Sequence, residues 1–187
     1  MEHKTLFEKQ LKLRKIFSGK AVNFRADVIR LPDGKTATRE FLDHPGAVAV
    51  LPVLENGDIV MVRQYRYPVQ EVTLEIPAGK LHSKNDPLPA RARAELREET
   101  GYTAARLEKL SAFWPTSAFS NEVLHVYLAT GLKAGAAAPD EDEFINVEHI
   151  AFKKAFGLIK TGKIKDAKTI IAIQAFALRN STRAKEN

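Results

Sequence analysis

The chain has 187 residues, 44% of them hydrophobic, and carries a net charge of +6 from 29 basic and 23 acidic side chains. That length and apolar content suit one domain with a full-sized core. It has no cysteine, which excludes a disulfide framework, a thiolate metal site and a thiol nucleophile. No apolar run approaches membrane-spanning length, and the opening Met-Glu-His-Lys lacks an apolar signal core, so a cytoplasmic protein without membrane contact is expected.

Residues 3–17 are polar with scattered Leu, Ile and Phe and read as a helical or strand-like arm. Residues 21–31 alternate apolar and polar, a strand pattern, and Pro32-Asp33-Gly34 turns the chain into a returning strand over 36–42. Residues 47–54 form an apolar run expected as a buried strand. Glu55-Asn56-Gly57-Asp58 is a strong hairpin turn, and a strand over 59–65 follows. A short strand is expected at 72–76. Asp86-Pro87 reads as an N-cap with proline at the first helical position of a helix running to about Glu99, with Gly101 at its C′ position. Strands near 105–114, 121–130 and 143–150 and helices near 152–161 and 166–180 complete the pattern. Strands and helices mix without regular alternation, which points to an α/β sandwich with a mixed sheet. The expected organisation is an N-terminal arm and hairpin over 1–45, a main domain over 46–180 and a frayed tail over 181–187.

The most informative stretch is Glu95-Leu96-Arg97-Glu98-Glu99-Thr100-Gly101-Tyr102. On a helix Glu95, Glu98 and Glu99 are i, i+3 and i+4, so they share one face. Like charges packed this way repel, and a hard cation such as Mg²⁺ or Mn²⁺ relieves them through oxygen ligands alone. The same run also reads as a solvated helix laced with Arg–Glu pairs.

The flanks separate these readings. From Gly79 to Tyr102 the chain resembles the Nudix box: a glycine, a loop, then a helix ending in Arg-Glu-apolar-x-Glu-Glu-x-Gly-apolar. The runs Phe-Leu-Asp-His-Pro-Gly-Ala-Val-Ala (41–49), Val-Arg-Gln-Tyr-Arg-Tyr (62–67) and Glu-Ile-Pro-Ala-Gly-Lys-Leu (75–81) resemble the ADP-ribose pyrophosphatase branch of that family. So do the segment 114–132, with Pro115, Phe119, Ser120 and Glu122, and Ile-Lys-Asp-Ala-Lys-Thr-Ile (164–170). The likeness extends over about residues 18–178.

The resemblance implies an α/β/α sandwich, a homodimer whose N-terminal strands often exchange, and Mg²⁺-dependent cleavage (Mn²⁺ as an alternative) of a nucleoside diphosphate linked to another group. It implies Glu95 and Glu99 as main metal ligands, Glu98 as a further ligand or orienter, and the backbone carbonyl of Ala78 as another ligand. In this branch the base comes from an acidic loop after the box, here residues 140–143, with Glu141 the first choice and Glu143 the second. Arg39, Arg63 and Arg66 are candidates for phosphate and adenine, since a guanidinium binds phosphate through its fork and stacks on a base through its face. Glu75 would touch the ligand or pin the metal loop, and Phe119 and Ser120 would face the terminal sugar. His44 reads as a turn residue and Trp114 as core.

The box departs from the family pattern twice. Its usual arginine before the first helix glutamate is Ala94, and the interval from Gly79 to Glu95 is one residue too long. An extra loop residue puts Asp86 in the loop-glutamate position. An extra helix residue puts Asn85 there and Arg93 in the arginine position, turned by about 100° unless a π-bulge absorbs it. Loop insertions cost less, which favours the first. The expected activity is nucleoside diphosphate sugar hydrolysis with ADP-ribose leading, and GDP-mannose or another nucleotide sugar is the alternative. The altered box raises a non-catalytic nucleotide-sugar sensor. The positive charge alone raises RNA-end processing, but no basic stripe interleaved with aromatics supports nucleic-acid binding.

Overall fold

The structure is a computed structural model that describes residues 6–138 and 143–186, with side chains through 182. Two compact units are present: Met1–Pro45 with Trp114–Glu122, and Gly46–Phe113 with Val123–Asn187.

The first unit is antiparallel. Strands β1 (Lys9–Lys12) and β2 (Lys15–Ser18) both pair with β3 (Asn23–Arg30), whose other edge takes β4 (Thr36–Leu42). The arm is therefore strand rather than helix. Gly34 closes the β3–β4 hairpin at φ 87°, and the Asp33 carboxylate accepts the Lys35 N–H at 3.0 Å. The segment 114–122 joins this unit through the Leu42–Ser120 bridge. Trp114, expected in the core, is 68% exposed.

The second unit holds two sheets among the described residues. β5 (Ala47–Pro52), β8 (Ala78–Lys80), β9 (Thr103–Phe113) and β10 (Leu124–Lys133) form a mixed sheet in the order β8-β5-β10-β9, parallel only between β5 and β10. β6 (Asp58–Arg66), β7 (Glu71–Glu75) and β11 (Asn146–Ala151) form an antiparallel sheet in the order β11-β6-β7. Every residue of β5 is buried. Its alternate side chains feed two cores, as a strand covered on both faces requires. Val48 and Val50 join Ala92 and Leu96 of helix α1 (Leu88–Thr100), with Tyr127 and Ala129 of β10. Ala49 and Leu51 join Met61 and Ile76, and Ala155, Ala172 and Ile173 of helices α2 (Phe152–Lys160) and α3 (Ala167–Glu186). Helices thus cover both faces of the mixed sheet. α3 runs to Glu186, past the expected stop at 180. No helix among the described residues is long and apolar enough to cross a membrane.

α1 ends as read: Gly101 adopts φ 76°, and its N–H bonds the Arg97 carbonyl at 2.8 Å. Its start differs. Pro87 occupies the N-cap position without a side-chain cap, while Asp86 accepts the His82 N–H at 2.6 Å and the Ser83 hydroxyl at 2.8 Å. Asp86 therefore closes the preceding loop instead of capping the helix. α1 is α-helical throughout, so no π-bulge absorbs the extra residue of the box, and Ala94 stands directly before Glu95.

The contrast between a core residue and an exposed aromatic is testable. Leu96→Ala should destabilise by about 2–5 kcal/mol through a lost contact and a cavity. Trp114→Ala should stay within roughly 0.5 kcal/mol. Urea unfolding of both variants would show this, and a large loss at Trp114 would contradict its exposure.

Candidate active site

The inward stripe of α1 reads Ala92, Glu95, Leu96, Glu99, Thr100, all buried. Apolar residues belong at these positions of a packed helix. Glu95 and Glu99 stand there instead, with 5% and 4% exposure. Glu98 lies at the edge of the stripe, its side chain 34% exposed.

The strand opposite accommodates them only because of its glycine. A Cβ on Gly79 would lie 1.7 Å from Glu95 Oε1. Next to it, the Ala78 N–H donates to Glu99 Oε2 at 3.3 Å. Burial is the main cause that raises both carboxyls. It lifts Glu95 to about 7, with the charges of Glu98 and Glu143 adding and Arg91 opposing. It lifts Glu99 to about 8, with Glu95 and Glu143 adding. Glu95 Oε1 is ion-paired with Arg91 Nη2 at 2.5 Å.

Glu75 is the opposite case. It is 2% exposed, and burial alone would raise its pKa. Arg66 outweighs that by gripping both oxygens, Nε to Oε1 at 2.9 Å and Nη2 to Oε2 at 2.8 Å. Lys168 Nζ also donates to Oε2, and the Thr73 hydroxyl donates to Oε1 at 2.6 Å. The carboxyl sits at about 2 as a result. Lys168 is held in turn by Asp166 at 2.9 Å. Asp166 caps α3 through the Thr169 N–H at 3.0 Å and accepts the Thr169 hydroxyl at 2.6 Å. That hydroxyl oxygen accepts the Ile76 N–H at 2.9 Å, which ties the α3 start to the chain leading into Gly79. A cavity of about 550 Å³ opens here, lined by Arg66, Pro68, Val69, Thr73, Lys165 and Lys168 among others.

Arg63 lies three residues before Arg66 on β6, and so on the opposite face of the sheet. It is committed to Glu148 of β11, Nε to Oε1 at 2.5 Å and Nη2 to Oε2 at 3.2 Å. Of the acidic run, Glu141 lies outside the described residues. Glu143 is exposed, and its charge is felt at both buried glutamates. The Ala/Gly-rich link before the run is pinned to the end of α1. Ala138 N–H donates to the Glu98 carbonyl at 3.0 Å, and a Cβ on Gly101 would meet the Gly135 carbonyl oxygen at 2.5 Å.

The remaining candidates belong to the first unit. Arg39, Phe41, Ser117, Phe119, Ser120 and Asn121 line a cavity of about 240 Å³ with Glu40 and Ala118. Arg39 Nε donates to Glu8 at 2.9 Å, Phe119 is 55% exposed, and the Ser120 hydroxyl accepts the Glu122 N–H at 3.1 Å. The His44 N–H donates to Asn121 Oδ1 at 2.7 Å.

Two residues escaped the sequence reading. Arg91 contacts Glu95 and Glu98, and its i,i+4 spacing from Glu95 was a usable signal. Lys168 lies in the run 164–170 that resembles the ADP-ribose pyrophosphatase branch, but its partner Glu75 is 93 residues away and local spacing does not show the pair.

A model of the NUDIX domain matches residues 43–172. The chain belongs to the Nudix family. Among its relatives, the ADP-ribose pyrophosphatase of Bacillus subtilis is 42% identical over 98% of this chain and 100% of its own length. The methanol dehydrogenase activator of Bacillus methanolicus is 43% identical over 95% of this chain and 97% of its own. The crystal structure of an ADP compounds hydrolase superposes with a TM-score of 0.80 over 96% of this chain and 97% of its own, at 16% identity, and so shares the fold.

Nudix enzymes are typically dependent on a divalent metal, and the donor set here fits one. Glu95 and Glu99 are oxygen donors, buried and short of positive charge, and Gly79 leaves space for the Glu95 carboxylate. Among the described residues no three acidic or imidazole side chains already converge as ligands. Glu95 and Glu98 turn toward Arg91, and Glu99 toward the Ala78 N–H.

The Glu75 network predicts an acid limb. Its carboxyl is lowered from 4.5 to about 2, so its stabilisation is present above pH 4.5 and is lost as pH falls toward 2. Urea midpoints of wild type and Glu75→Gln should differ by a constant amount above about pH 5 and converge as pH falls from 4.5 toward 2. A gap that stays constant through that fall would show that the charge of Glu75 does not matter.

Proposed function

We propose that the protein hydrolyses the pyrophosphate bond of nucleoside diphosphate sugars, with ADP-ribose as the leading substrate and AMP and ribose 5-phosphate as products. The observation that carries this is the buried pair Glu95 and Glu99 set against Gly79, two carboxylates short of positive charge. Beside the same strand lead-in, Arg66 and Lys168 line a cavity of ligand size. The nearly full-length likeness to an ADP-ribose pyrophosphatase supports the choice of substrate.

Glu95, Glu99, Glu98 and the Ala78 carbonyl would hold Mg²⁺ or Mn²⁺. A bound divalent cation neutralises pyrophosphate charge and lowers the pKa of a bound water. Arg66, beside the cavity of the second unit, would contact phosphate or adenine; Arg63, Arg39, Phe119 and Ser120 stay candidates for ligand contact. Glu75 holds the Arg66 fork at a fixed angle. A carboxylate outside the helix, Glu141 first and Glu143 second, takes the proton as water oxygen bonds to phosphorus and the bridging P–O bond breaks. One water is consumed for each bridge cleaved.

The partner chemistry follows the same reading. Leu11, Leu13, Ile16 and Phe17 on the first unit are all more than 40% exposed, which supports a second copy of this chain as the occupant of that surface. Light scattering should give twice the monomer mass. A second functional reading, action on a partner enzyme, is favoured by the Bacillus methanolicus relative. Under that reading the rate of an added methanol dehydrogenase should rise, and an unchanged rate removes it.

Purified protein with Mg²⁺ should convert ADP-ribose to AMP and ribose 5-phosphate, and chromatographic separation of products reads this directly. GDP-mannose in parallel ranks the sugars. Binding of ADP-ribose without turnover would move the protein to the sensor class. Glu99→Gln should lower kcat at least about 100-fold with the unfolding midpoint preserved. Retained activity would remove Glu99 from the metal site. Glu141→Gln should lose more activity than Glu143→Gln, and the reverse order would make Glu143 the base.

A further inference from the structure

We propose that Arg91 is the positioning residue of the carboxylate cluster, holding Glu95 and Glu98 to receive the cation in place of the arginine absent at Ala94. The inference rests on the metal-site reading above. On α1, Arg91 precedes Glu95 by four residues and Glu98 by seven, so all three share one face. One guanidinium spans both carboxylates: Nη2 lies 2.5 Å from Glu95 Oε1, and Nη1 lies 3.5 Å from Glu98 Oε2. The side chain is 22% exposed, and its Nε is buried. Arg91 therefore lies along the helix, and its fork is not free to wander in water.

The neighbouring cations are committed elsewhere. Arg93 donates to the Ala104 carbonyl, and with Arg97 it lines a cavity on the other side of α1 next to Ala94. Arg66 is held by Glu75. Among the described residues, Arg91 makes the ion pairs to Glu95 and Glu98. An exposed i,i+4 pair does little, but Glu95 is buried, and without Arg91 its carboxylate has no counterion in place before a metal arrives. The planar fork matters as well as the charge. It fixes two carboxylates at once, whereas an ammonium is a point charge that follows either of them.

Charge and position predict opposite results. If Arg91 only adds positive charge, its removal makes the cluster more negative and tightens cation binding. If it positions the carboxylates, its removal loosens binding. Residues that orient metal ligands typically contribute about 10- to 100-fold in affinity. The test is Mn²⁺ binding to the full-length protein by electron paramagnetic resonance and calorimetry, for wild type, R91A, R91K and E99Q, with unfolding midpoints in EDTA as the control. R91A should bind Mn²⁺ about 10- to 100-fold more weakly, with R91K between it and wild type, and raised Mn²⁺ should restore part of the lost kcat. Affinity in R91A equal to or tighter than wild type overturns the proposal. If R91A does not fold, wild-type affinity in R91K overturns it. Wild type that binds no Mn²⁺, or binds it independently of Glu99, overturns the metal site itself and this inference with it.

Discussion

Burying two carboxylates on the inward stripe of one helix is the constraint around which the second unit is arranged. A packed helix face normally takes apolar groups, and an ionised carboxylate loses its hydration there without automatic compensation. Glu95 and Glu99 are both below a tenth exposed, and each raises the other's cost. The fold answers this locally. Gly79 removes the side chain that would collide with Glu95, the Ala78 N–H gives Glu99 one donor, and Arg91 gives Glu95 one counterion. None of these satisfies both carboxylates, which is why both titrate near neutrality. Perturbation of this kind is typical of functional sites.

Glu75 shows that the same backbone region can bury a carboxylate at rest. It has an arginine fork, a lysine and a hydroxyl, so its charge is retained far below neutral pH. The difference between the two settings is one of partners, since all three glutamates are almost equally buried. The satisfied carboxylate keeps Arg66 and Lys168 in place. Through Asp166 and Thr169, the same network anchors the start of α3 to the chain just before Ala78 and Gly79. The strand facing the unsatisfied carboxylates is thus held from behind by the satisfied one.

Much of this was legible in the sequence because it is local. The Pro32-Asp33-Gly34 and Asn56-Gly57 turns, the unbroken apolar run of β5 and the Gly101 stop each follow from a few neighbouring residues. The glutamate cluster was legible through helix spacing, and its meaning through resemblance. What was missed depends on distant partners or on exposure. β8 is three residues long and exists because β5 offers it an edge. Trp114 was placed in the core by its size, yet it is 68% exposed. Asp86 has the right chemistry for a helix cap, but the His82 N–H and the Ser83 hydroxyl claim its carboxylate. The pairing of Lys168 with Glu75 could be found only once α3 was known to start beside β7.

The two kinds of buried glutamate also set up an asymmetric field across a short stretch of chain. On one side of Ala78 stands a cluster with one guanidinium, Arg91, for the three carboxylates of Glu95, Glu98 and Glu99, and on the other stand Arg66 and Lys168 with their charge only partly used by Glu75 and Asp166. A ligand matched to such a field carries a cation at one end and exposed anionic oxygens at the other. A pyrophosphate with a divalent ion has that form, whereas a neutral sugar or a bare phosphomonoester has only part of it. Changes in the outlying loops can alter which sugar or base is accepted without touching this field. The reaction class is therefore tied to the buried glutamates and their strand, and the substrate identity to the residues around them.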